Sequence, residues 1–136
     1  MALTLQDVDD LLSGERDPIR VGEIPYDIAI RLKLKNHNVY LSKLSLLHIF
    51  EEHADINRFT LLSIPFALRD GLLIQERKKP HIIVSSHLME VTGKRHMTIM
   101  KITAEGTEIW VSTFHRAHAR QTVALLKRGI ILQSHK

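Results

Sequence analysis

The chain has 136 residues, enough for a domain that buries about two-thirds of its surface without a metal or disulfide staple. It is 44% hydrophobic and 25% charged and has no cysteine. That excludes wholesale disorder, a disulfide scaffold, a thiolate zinc site, an iron–sulfur cluster and a cysteine nucleophile. The net charge of +4 divides unevenly: residues 1–70 hold 8 basic and 11 acidic side chains, residues 71–136 hold 11 and 4. The second half therefore carries +7, a balance that points to an anionic partner, nucleic acid above all. Nine histidines add side chains whose ordinary pKa suits proton transfer near neutrality.

Residues 4–13 read as a short acidic amphipathic helix, capped by Thr4, striped by Leu5, Val8, Leu11 and Leu12, and followed by Gly14. From Ile28 to Leu34 apolar and polar positions alternate, which predicts a half-buried strand. Asn36-His37-Asn38 is a turn, and Val39-Tyr40-Leu41 a brief extension after it. Ser42 is an N-cap for a helix over Lys43–His53. A second helical stretch runs from Asn57 to Arg69, interrupted at Pro65 and closed by Asp70-Gly71, with glycine in the left-handed conformation that ends helices.

The periodicity then turns to strands at Leu72–Gln75, His81–Ser85, His87–Val91, Met97–Thr103 and Glu108–Phe114. Gly93-Lys94-Arg95 and Ala104-Glu105-Gly106-Thr107 form the tight turns between them. Helical spacing resumes over 116–128, and Ile130–Leu132 adds a last strand. Helices followed by a run of strands make an α+β fold. N-terminal helices are expected to pack on a four- to five-stranded antiparallel meander, with a C-terminal helix. One domain spans 1–136: residues 1–17 form an N-terminal extension with a short helix, and 18–136 an α+β core. No stretch approaches the ~20 apolar residues of a membrane helix. The N-terminus lacks the basic and apolar regions of a secretory signal, so a cytoplasmic protein is expected.

On the helix after Ser42, Leu46, Ile49 and Phe50 share one arc, and His53 falls inside it. His53 is therefore directed at the core or at a cleft against the sheet. His48 lies on the margin, about 140° away, so the two cannot chelate one metal but can act separately as proton-transfer groups. The run Trp110-Val111-Ser112-Thr113-Phe114-His115-Arg116 ends a strand in two hydroxyls, an aromatic ring, an imidazole and a guanidinium. Such groups hold a phosphate and stack a base. Strict alternation puts Val111 and Thr113 on one face, Ser112 and Phe114 on the other. Basic clusters at Arg77-Lys78-Lys79, at Lys94-Arg95-His96 and at Arg116 with Arg120 accompany it. Lys101 interrupts an otherwise apolar strand: a phosphate-facing lysine or an edge-strand guard. His115 and His118 have ligand-compatible spacing, but there is no acidic third ligand nearby and no HExxH pattern.

Taken together, Val39-Tyr40-Leu41-Ser42 leading to His48-Ile49 and His53, the Ile64-Pro65 break, the strand meander and Ser112-Thr113-Phe114 resemble phage-associated nucleases. These belong to the barnase/EndoU/colicin/RelE-type ribonuclease superfamily, and the similarity covers about residues 18–130. The resemblance implies a nuclease-like core and a metal-independent ribonuclease without cofactor. Such an enzyme cleaves by attack of the ribose 2′-hydroxyl on the adjacent phosphate, and the resemblance implies a prophage toxin or effector. It implies His48 and His53 as the helix histidines, Thr113 as the hydroxyl of the last strand, and Lys101 or Arg95 as the phosphate-stabilising cation. Arg77, Arg95, Ser112, Phe114, His115 and Arg116 are the expected RNA-binding residues. RNA is the expected partner, with an acidic antitoxin or immunity protein as a second. The alternatives are a nucleic-acid-binding protein of the same fold without catalysis and a histidine-based metal hydrolase.

Overall fold

A computed structural model of the chain describes residues 2–89 and 92–135. The helices are α1 Leu5–Ser13, α2 Tyr26–Arg31, α3 Lys43–Glu52, α4 Arg58–Leu61, α5 Ile64–Asp70 and α6 Ala119–Arg128. The strands are β1 Ile19–Glu23, β2 Asn38–Leu41, β3 Leu72–Glu76, β4 Ile82–Met89, β5 Lys94–Ile102, β6 Ile109–Arg116 and β7 Gly129–Gln133. They form one sheet in the order β1-β2-β6-β5-β4-β3-β7. β2 pairs with β6 in parallel and every other pairing is antiparallel. The α+β class stands. The expected four or five antiparallel strands become a mixed sheet of seven, because short strands join the meander at both edges.

Local chemistry explains the helix ends. Thr4 Oγ1 accepts from the Asp7 N–H at 3.2 Å while Asp7 Oδ2 accepts from the Thr4 N–H at 2.9 Å, a reciprocal box that occupies two otherwise unpaired donors. That Thr4 N–H, reinforced by the Arg16 guanidinium, holds the Asp7 carboxyl below its usual pKa. Gly14 closes α1 at φ +85°, a conformation glycine enters without a Cβ penalty. Ser42 caps α3 through its hydroxyl, as expected.

The run 28–34 is not a strand: Tyr26–Arg31 is α2. Pro25 is the N-cap and Asp27 lies in the first turn, where a carboxylate is favourable. Ile28 and Ala29 are buried while Ile30 is 60% exposed, so the alternation disguised a short helical face. The long second helix is two pieces, α4 and α5, parted at Leu62-Ser63 with Pro65 in the first turn of α5. Gly71 is extended (φ −73°, ψ 168°) rather than left-handed. Its role is steric, since a Cβ there would lie 2.4 Å from the Ala67 carbonyl oxygen. The two predicted strands at 81–85 and 87–91 are one, β4, and Val91 lies outside the described residues.

The sheet has an inner and an outer face. Val21, Val39, Leu41, Leu73, Ile83, Met100, Ile109, Val111 and Phe114 point inward, into a buried cluster shared with Leu3, Val8, Leu11, Leu46, Ile49, Leu61, Ile64 and Leu68. On the outer face α6 seals a smaller cluster of Ile74, Ile82, Val84, Met97, Ala117 and Leu125. α6 lies against β3 and β7. The outward side chains of β1, β2 and β6 belong to neither cluster.

Candidate functional site

β2 is short and meets β6 only at Val39–Ile109 and Tyr40–Trp110. Among the described residues the rest of β6 has no strand beyond it, and α3 packs there instead. His53, the C-cap of α3, is half-buried against this strand. Its Nε2 lies 3.5 Å from Thr113 Oγ1, the outer limit of a hydrogen bond. Its ring centroid lies 5.2 Å from that of His115. Three candidates, His53, Thr113 and His115, thus meet at one point.

A bulge makes this possible. Met100 pairs with Val111 and Ile99 with Thr113, so Ser112 is the extra residue and parity changes across it. Thr113 therefore faces outward with His115, opposite to Val111, which corrects the strict alternation expected from the sequence. Ser112, half-exposed, is the hinge of the bulge.

The His115 tautomer follows from its contact. Nδ1 lies 3.0 Å from the Arg116 carbonyl oxygen, which can only accept, so Nδ1 carries the proton and donates. In the neutral ring Nε2 then holds a free lone pair. Beyond His115 the outer face dips into a cleft of about 440 Å³ between α6 and the sheet, lined by Val84, Met97, Ile99, Gln121 and Arg128.

The remaining candidates are placed differently. His48 is exposed and makes no hydrogen bond or ion pair among the described residues, so no contact there joins it to His53. Phe114 is 0% exposed and stacks on His96 at 5.3 Å and 14°; it is core, and no base can reach it. Arg95 donates from Nη1 to Ser86 Oγ at 3.0 Å, and Ser86 Oγ pairs with Thr122 Oγ1 of α6. Ser86 and His115 flank Met97 on opposite sides, so Arg95 braces α6 rather than meeting His53. Arg116 is exposed at the end of β6. Arg77 is exposed in the turn after β3, three strands from β6. Lys101 is exposed on the outer face, opposite Trp110 and one row from Thr113.

His96 was visible only as part of a basic cluster, yet it is 5% exposed and, among the described residues, its Nδ1 has no hydrogen-bond partner. Burial foremost lowers its pKa from the ordinary 6.5, although Asp55 pulls the other way. Below that pH the unfolded chain binds a proton that the folded chain resists, so stability falls as the solution is acidified. Urea unfolding should show this fall from about pH 6.5 downward, and a shallower one in His96→Leu; identical slopes would contradict it.

Among the described residues no three histidine, aspartate or glutamate side chains converge to hold a metal ion. No helix there is long and apolar enough to cross a membrane. No family model matches the chain, and neither a curated protein nor a solved structure matches it.

Proposed function

We propose that this protein is a metal-independent endoribonuclease acting in the cytoplasm, with His53, Thr113 and His115 as its reaction centre. The observation that carries this reading is the meeting of two imidazoles and a hydroxyl on the outer sheet face, with Lys101 one row away. His115, protonated at Nδ1, offers Nε2 to take the ribose 2′-hydroxyl proton. The 2′-oxygen attacks the adjacent phosphorus and the bond from phosphorus to the 5′-oxygen breaks. Protonated His53 gives its proton to that leaving oxygen, and a 2′,3′-cyclic phosphate remains. Each such proton transfer is worth about 10²–10⁴-fold in rate. In this reading Thr113 Oγ1 stabilises charge growing on the phosphoryl oxygens, and Lys101, one row along the sheet, neutralises the adjoining backbone.

The second reading, RNA binding without cleavage, is favoured by the exposed Lys101 beside Trp110 on the same face. Incubation with RNA in EDTA separates them. The nuclease yields cyclic-phosphate ends, whereas the binder retains RNA in a salt-sensitive manner and yields none. Cleavage that appears only on adding metal would defeat both.

A further inference from the structure

Strand register places four side chains in one row across the outer face. Arg20 pairs with Tyr40, Tyr40 with Trp110, and Trp110 with Lys101. Their chain neighbours Ile19, Val21, Val39, Leu41, Ile109, Val111 and Met100 all point into the inner core, so alternation turns this row outward. The Tyr40 and Trp110 rings are neighbours, centroids 5.9 Å apart and inclined at 47°, and each keeps part of its surface in solvent. Arg20 is held at one end by Asn38 at 2.7 Å and Glu23 at 2.9 Å. Lys101, at the other end, makes no ion pair among the described residues.

We propose that Tyr40 and Trp110 form a stacking platform for unpaired bases of single-stranded RNA, with Lys101 neutralising the backbone beside it. The proposal rests on the nuclease reading for its choice of RNA and adds the strandedness of the substrate. Two observations select the occupant. Adjacent aromatic rings with a free cation match the bases and phosphates of a single strand, while bases stacked inside a duplex cannot reach a flat sheet face. The platform is also continuous with the reaction centre, since Trp110 and Thr113 lie on the same strand and face. The exposed turn Arg77-Lys78-Lys79 lies at the platform end of the sheet, because Ile82 at the start of β4 pairs with Lys101. It extends the positive track away from His53.

Trp110 is the chain's single tryptophan, so its emission reports on the platform alone. The test titrates the His53→Ala protein, in which cleavage is expected to be about 10²–10⁴-fold slower, with a short mixed-sequence single-stranded RNA and with its duplex. The single strand should quench Trp110 and the duplex should not. Tyr40→Ala should weaken binding about 5- to 100-fold. Tyr40→Phe, which keeps the ring, should bind as the parent does, and thermal unfolding of each variant identifies any loss of fold. Absence of quenching, equal quenching by duplex, or unchanged affinity in folded Tyr40→Ala would overturn the platform. Quenching without any RNA cleavage by the unsubstituted chain would remove the nuclease reading and leave the platform standing. Cleavage without quenching would do the reverse.

Discussion

Replacing His115 by alanine should slow RNA cleavage by about 10²–10⁴-fold, the usual worth of a positioned acid or base. The fold should survive, because the ring is half-exposed and its hydrogen bond among the described residues goes to its neighbour's carbonyl. His115→Asn sharpens the test. An amide N–H can still donate to the Arg116 oxygen, but nothing remains in the place of Nε2 to accept a proton. It should be as slow as the alanine variant, with an unfolding curve like the parent's. His53→Ala should cost a similar factor. Thr113→Ser, which keeps the hydroxyl, should cost far less than Thr113→Val. His48→Ala is the control: His48 is exposed and has no partner among the described residues, so the variant should cleave like the parent. Rates from single-turnover assays check all of these, and a fast His115→Asn would remove the imidazole from the chemistry.

Phe114→Ala should destabilise the protein by about 3–5 kcal/mol, the range for truncating a buried phenylalanine. The side chain is fully buried in the inner core and stacked on His96, so its removal leaves a cavity behind the reaction centre. Against a typical total of about 5–15 kcal/mol, that is a large share, and denaturant unfolding will show it directly. Affinity for RNA, measured where the variant remains folded, should be near that of the parent. The opposite pattern, intact stability with lost binding, would restore Phe114 as a base-stacking residue. Phe114→Leu, which retains much of the volume, should cost less.

How far the sequence revealed the molecule depends on the range of the forces involved. The α1 and α3 helices were legible because their caps are local: Thr4 with Asp7, and Ser42 with the Ser45 N–H. The α2 helix was not, because Ile28, Ile30 and Leu32 satisfy a two-residue period while Pro25 and the burial of Ala29 decide for a helix. The short edge strand β1 offered only the brief alternation Ile19-Arg20-Val21. The Ser112 bulge changes no composition, yet it alone puts Thr113 on the face of His115. His53 was legible from its helical arc as a residue directed at the core or at a cleft against the sheet. Its partner His115 lies sixty-two positions later in the chain, and only the way α3 meets the open edge of β6 brings them together. Tyr40 and Trp110 were equally hidden, since their pairing is the parallel contact between β2 and β6.

The central claim is that His53 and His115 work as one unit on one phosphate. A double-mutant cycle on cleavage of a short single-stranded RNA in EDTA tests it most directly. Residues that act together lose activity non-additively, so His53→Ala/His115→Ala should be about as slow as either single variant. Cyclic-phosphate ends should form about 10²–10⁴-fold more slowly in all three. Rate losses that multiply, or cyclic-phosphate product persisting at the parent rate in either single variant, would contradict the assignment.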